Sequence, residues 1–145
     1  MKKSLVMLTL CFLALILVSC SVPYNFSQDI SDLDQIQIEI VNLETEMGDS
    51  SNAAYNEEEI SIIKTIENDK KEDFISDFKK IKSYQPNFGS RIDYVYGKAI
   101  RIIYSNGDIE LITHYGTATV KNGEISNQTI TFDSDAFSNL LDKYS

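Results

Sequence analysis

The chain has 145 residues, 22 of them acidic and 13 basic, with one histidine, two cysteines and no tryptophan. That length allows one domain and little more, and the acidic balance excludes a basic footprint for nucleic acid. With one histidine and two cysteines, donors for a zinc site of the usual ligands are few.

The first 20 residues differ in character from the rest. Met1-Lys2-Lys3 is a short positive start, and Leu5 to Val18 is an uncharged run of 14 residues. A helix crossing the hydrocarbon core needs about 20 residues, so this run is short for a span. Its length fits the apolar centre of an export signal. The tetrad Leu17-Val18-Ser19-Cys20 resembles the lipobox of bacterial lipoproteins, the recognition site of their dedicated signal peptidase. The resemblance implies a diacylglyceryl thioether on Cys20, cleavage before it and acylation of the new amino terminus. Residues 1–19 are then a signal peptide, and Cys20 anchors the finished protein to the extracytoplasmic face of the cell membrane. Chemistry agrees with the choice of residue, because a thiol is readily alkylated, and one acyl chain alone anchors only marginally.

Two consequences follow for the mature protein. Cys11 leaves with the signal and Cys20 carries lipid, so no thiol remains for a disulfide. Lys2 and Lys3 are also lost, leaving 11 basic against 22 acidic residues and a net charge of −11. An anionic membrane surface is expected to repel such a chain, so the lipid must hold it without electrostatic help.

Ser21 to Asp34 is polar with scattered apolar groups and is expected to be a tether, giving a lipidated segment 20–34 ahead of one domain over 35–145. Gln35 to Glu44 alternates, with Ile36, Ile38 and Ile40 on one side and Gln37, Glu39 and Val41 on the other, which predicts a half-buried strand. Glu46 to Glu59 is polar and predicts a long loop. Ile60 to Ile66 is β-branched and suits a second strand. Asp69 to Ser83 has Phe74, Ile75, Phe78 and Ile81 at helical spacing, an Asp69–Glu72 capping pair, and Lys79, Lys80 and Lys82 in its last turn.

Two turns organise the next stretch. Asn106-Gly107 predicts a type I′ hairpin. That register puts Ile100, Ile102, Tyr104, Ile109, Leu111 and Thr113 on an apolar face. Arg101, Ile103, Glu110, Ile112 and His114 then fall on a mixed, solvated face. Asn122-Gly123 repeats the device, with Lys121 opposite Glu124 and Tyr115 beside Ile130, and Gly116 marks a bulge. Phe137, Leu140, Leu141 and Tyr144 form a final helical stripe over Ser134 to Tyr144. The expected fold is α+β: an antiparallel sheet of four to five strands, with two helices packed on one face.

No phosphate loop, calcium loop or metal cluster is recognisable, and neither a metal nor a cofactor is expected. The leading expectation is a non-enzymatic binding module of the cell envelope, with an envelope protein as partner, the membrane held through Cys20, and no nucleic acid. Its candidate contact residues are Tyr94, Tyr96, Arg101, Ile103, Glu110, Ile112 and His114, with the loop around Tyr55. An inhibitor or immunity-type protein against a basic, wall-acting enzyme is an alternative that the acidity suits. A hydrolase using two carboxylates is a third, with no motif behind it.

Overall fold

β-branched residues dominate the middle of the chain and they build the sheet. The computed structural model describes residues 21–48, 55–85 and 94–145. In chain order its elements are β1 (Gln37–Gly48), β2 (Ile60–Thr65), α1 (Asn68–Phe78), β3 (Ser83–Tyr84), β4 (Tyr94–Ile103), β5 (Ile109–Thr113), β6 (Gly116–Lys121), β7 (Glu124–Gln128), β8 (Thr131–Phe132) and α2 (Ser134–Tyr144). The main sheet runs β2-β1-β4-β5-β6-β7, antiparallel throughout, and β3 pairs with β8 beside it. The fold is α+β, with six strands in the main sheet rather than four or five.

Ile38, Ile40, Ile100, Ile102 and Ile112 form the sheet side of the main core. Phe74, Ile75 and Phe78 of α1 and Phe137, Leu140 and Leu141 of α2 close it from above. The opposite face, expected to be wet, is a second core. Val41, Leu43, Met47, Val95, Ala99, Leu111 and Ala118 are all buried there. The sheet curls far enough that β1 approaches β7, and Ile125 of β7 packs on this second cluster. Burial of both faces explains why β4 and β5 are apolar almost continuously.

The register of the β4–β5 hairpin differs from the one expected. Ile103 pairs with Ile109 and Arg101 with Leu111. Gly107 N donates to Tyr104 O (2.9 Å) and Tyr104 N to Asp108 O (2.9 Å). Gly107 has φ +86°, while Asn106 stays out of the left-handed region. This is a three-residue loop with glycine in its left-handed position, not a two-residue type I′ turn. The extra residue moves every β5 side chain to the other face. Glu110 and Ile112 therefore turn toward the helices, while Ile109 and Leu111 join the second core. At Asn122-Gly123 both residues have positive φ (53° and 82°), Lys121 pairs with Glu124, and the type I′ reading holds.

Three further expectations change. The strand expected to run through Tyr115 stops at Thr113, because His114 and Tyr115 form a tight turn between paired Thr113 and Gly116. Helix α1 starts at Asn68 with Glu67 as its cap residue and ends at Phe78, so the Asp69–Glu72 capping pair does not form and the three lysines follow the helix. Its Lys71 is buried and donates Nζ to the carbonyls of Leu33 (2.9 Å) and Ile36 (2.5 Å), fixing the chain ahead of β1.

Residues 21–34 are not a loose tether. Tyr24, Phe26, Ile30 and Leu33 all pack against the main core. Tyr24 meets Phe26, Phe78 and Phe132 at ring-centroid distances of 5.1, 5.5 and 5.4 Å. Two of these few apolar groups, Tyr24 and Phe26, are aromatic, and an aromatic ring buries a large area.

Candidate functional site

The expected mixed face does not exist as one surface, because the register shift distributes its residues over three places. Ile112 is fully buried in the main core. Arg101 and Ile103 point into the curl of the sheet, and Glu110 points to the helix side. His114 and Tyr96 remain near the surface. Tyr94 opens β4, and its side chain lies outside the described residues, as do Cys20 and the whole lipobox tetrad.

Arg101 is 2% exposed and reaches two carboxylates. Its Nε and Nη2 donate to Glu39 Oε2 (2.6 and 2.5 Å), and Nη1 donates to Glu57. Tyr55 joins the same group, accepting from Arg101 Nη1 (3.3 Å) and donating to Glu57. Burial alone would lower the guanidinium pKa, but Glu57, Glu39 and Tyr55 hold it above its ordinary value. Burial pushes the Tyr55 hydroxyl up to about 12. The segment around Tyr55, expected as a loop, thus folds back as a lid on a buried ion pair. A pair this enclosed is occupied internally rather than offered to a ligand.

Glu110, also 2% exposed, is bound by neutral donors. The hydroxyls of Tyr24 and Tyr104 donate to it, as do Ser27 N (3.1 Å) and Ser27 Oγ (3.2 Å). Burial raises both tyrosine pKa values, followed by the Glu110 charge at Tyr24 and by the hydrogen bond to Glu110 at Tyr104. The carboxylate clips residues 24–27 onto the hairpin, and Gln28 Nε2 extends the contact to Asp108 (2.7 Å).

Tyr96 and His114 line an aromatic cleft of about 380 Å³ between the sheet end and α2. β4 supplies Tyr96 and Lys98, the β5–β6 turn supplies His114 and Tyr115, and Phe137 and Leu141 of α2 line the cleft from the other side. β1 is irregular between Leu43 and Met47, opposite Tyr96, which is 46% exposed. Gly97 beside it has φ +79°, a conformation that a side-chained residue adopts only under strain. Tyr115 stands 5.5 Å from Tyr96 and 4.2 Å from His114 between ring centroids, and its hydroxyl donates to Tyr96 O (3.0 Å). Lys98 and Asp142 face each other at the rim (3.5 Å).

Partial burial lowers the His114 pKa, so the imidazole is neutral at neutral pH and offers one donor and one acceptor. Rings, a neutral imidazole and a small charged rim can hold an uncharged group by stacking and hydrogen bonding. Among the described residues no three His, Cys, Asp or Glu side chains converge on a point that would hold a metal ion. Sequence reading reached Tyr96 and His114 but placed Tyr115 on a strand. Gly116, which predicts a bulge, instead opens β6 directly after the turn. Nothing in the sequence pointed to α2 as the other wall. Comparison with protein-family models, curated proteins and solved structures finds no match to this chain.

Proposed function

We propose that the chain is a lipid-anchored, extracytoplasmic binding module of the bacterial cell envelope, not an enzyme, with the Tyr96–His114–Tyr115 cleft as its contact site. The anchor reading rests on Leu17-Val18-Ser19-Cys20 behind a basic start and a 14-residue uncharged run. The observation that carries the contact site is the group of three neighbouring rings lining one cleft beside α2. A cleft of this size and character suits an uncharged apolar or aromatic group presented by an envelope protein.

Two measurements test the reading. Mass spectrometry of the protein from bacterial membranes is expected to find a lipid-modified Cys20 at the amino terminus, and an unmodified Cys20 sinks the anchor. A partner retained from envelope extract by the native protein is expected to be lost with Tyr96→Ala and with His114→Ala. Equal retention by all three sinks the cleft. The second reading, an inhibitor of a basic wall-acting enzyme, is favoured by the mature net charge of −11. It predicts that retention falls steeply with salt whether or not Tyr96 is present.

A further inference from the structure

Two residues beyond Cys20, the chain is already bonded to the domain. Val22 N donates to Ser83 O (2.9 Å), and Ser83 Oγ donates back to Val22 O. Tyr24 and Ser27 then bind Glu110, and Gln28 binds Asp108. In the chain only Ser21 separates Cys20 from Val22. Acyl chains on Cys20 would therefore enter the bilayer directly beneath Ser83, with no spacer between lipid and fold.

The surface at that point differs in charge from the rest. Phe78 to Gln85 contains Lys79, Lys80, Lys82 and no acidic residue, in a chain with 22 acids. All three lysines are exposed, and Ser83 in the same stretch is the residue that holds Val22. Lys79 Nζ sits 6.0 Å from the Phe26 ring. The facing acids are Asp77, shared between Lys80 (2.8 Å) and Lys143 (2.6 Å), Asp133, whose N donates to Lys82 O (3.0 Å), and Asp29, Asp32, Asp34 and Glu72, which line the two clefts that Lys79 borders. The tips of the β4–β5 and β6–β7 hairpins lie at the other end of the sheet, since β5 and β6 meet at His114-Tyr115 on this one.

We propose that residues 21–28 act as a strap that seats the domain on the bilayer in one orientation, with the β3–β8 end down and Lys79, Lys80 and Lys82 on the headgroups of anionic lipids. This rests on the anchor reading given above. The run of three lysines then offers an anionic surface local positive charge at the anchored end of an acidic protein. The same orientation places the aromatic cleft low. Val22 bonds to Ser83, Ser83 pairs with Phe132, and Phe132 N donates to His114 O (2.6 Å). Three inter-strand steps put His114 within about 15 Å of Val22. The partner of the cleft is accordingly one that lies close to the membrane surface.

Because acylated Cys20 leaves no other thiol in the mature chain, single cysteines can carry a fluorophore. The acylated full-length protein is prepared with Gln85→Cys or Ser105→Cys, labelled, and placed in vesicles containing phosphatidylglycerol and a headgroup-quencher lipid. The Gln85 probe is expected to be quenched several-fold more than the Ser105 probe. The contrast should shrink in phosphatidylcholine vesicles, at high salt, and with K79Q/K80Q/K82Q, while vesicle flotation is unchanged. Equal quenching of the two probes on acylated protein overturns the fixed orientation. A contrast indifferent to lipid charge and to the lysine changes overturns the role of the lysines. An unacylated Cys20 in the mass spectrum removes the anchor reading and the proposal together.

Discussion

Two buried charges on neighbouring strands, one on each face of the sheet, are accommodated in different ways. Inside the curl, Arg101 meets opposite charge: Glu39 from β1 and Glu57 from the segment that covers it. On the helix side, Glu110 meets only neutral donors from Tyr24, Ser27 and Tyr104. The first arrangement is a pair that stands or falls as a unit, because each partner answers the other's desolvation. The second is a convergence of three chain segments on one anion, and its value lies in which segments it joins. Arg101 fixes β1 to β4, which are paired anyway. Glu110 attaches the middle of a strap whose ends are held by Val22 on Ser83 and Gln28 on Asp108.

The largest expected effect breaks the first arrangement. Arg101→Met leaves Glu39 buried and unpaired and should destabilise the fold by about 3–5 kcal/mol. Glu39→Leu combined with Arg101→Met should restore most of that loss, measured by denaturant unfolding. A double variant no more stable than the single would show that Glu39 and Arg101 do not act as a unit. Glu110→Ala comes next, at about 2–3 kcal/mol, because it strands the Tyr104 and Tyr24 hydroxyls inside the fold. Its distinguishing sign is local: hydrogen exchange should rise over residues 21–28 before it rises in β4. A uniform rise would erase the contrast between the two sites.

How legible this was in the sequence depended on turns. The same Asn-Gly dipeptide occurs twice and forms two different loops. At 122–123 the flanking Lys121 and Glu124 pair, and both turn residues accept positive φ. At 106–107 only glycine does, and Asn106 instead accepts a side-chain bond from Asp108 N (3.1 Å). No local pattern ranks these outcomes, because what selects the longer loop is distant. It is the shift that delivers Glu110 to Tyr24, 86 positions away. The hydrophobic periodicities of β1, α1 and α2 were readable because each depends on its own residues. The strap was not, because Tyr24 and Phe26 look isolated until Phe78 and Phe132 are beside them. The candidate contact site suffered most, since its membership depended on the one register that slipped.

Alkali should sharpen the comparison further. Tyr24 and Tyr104 on the Glu110 side, and Tyr55 on the Arg101 side, all keep their protons beyond the ordinary tyrosine value, burial being the leading cause. Unfolded tyrosine ionises near pH 10. These three therefore contribute stability that is complete below that pH and is lost as pH rises through their folded values. Phenolate absorbance should show these three rings, together with Tyr144, titrating late in the folded protein. Tyr24→Phe should cost about 1 kcal/mol at neutral pH and reduce the alkaline loss. If the strap loosens before the Tyr55 lid, as neutral donors around an anion would have it, residues 21–28 exchange first on raising the pH.

The smallest effect belongs to His114, which shares neither arrangement and so serves as a control on both. It is the only histidine, and partial burial holds its folded pKa below the ordinary value. As pH falls through about 6.5 the unfolded chain takes up a proton that the folded chain resists, so stability declines from there toward the lower folded pKa. Glu57, Glu59 and Asp77, whose pKa values are depressed, lose their contributions only in more acid solution. The two windows are separate. His114→Gln should flatten the dependence of the unfolding midpoint between about pH 7 and 5 and leave the steeper acid limb unchanged. A slope that survives the substitution would mean that a carboxylate, not the cleft histidine, titrates there, and the charge state assigned to the cleft would have to be abandoned.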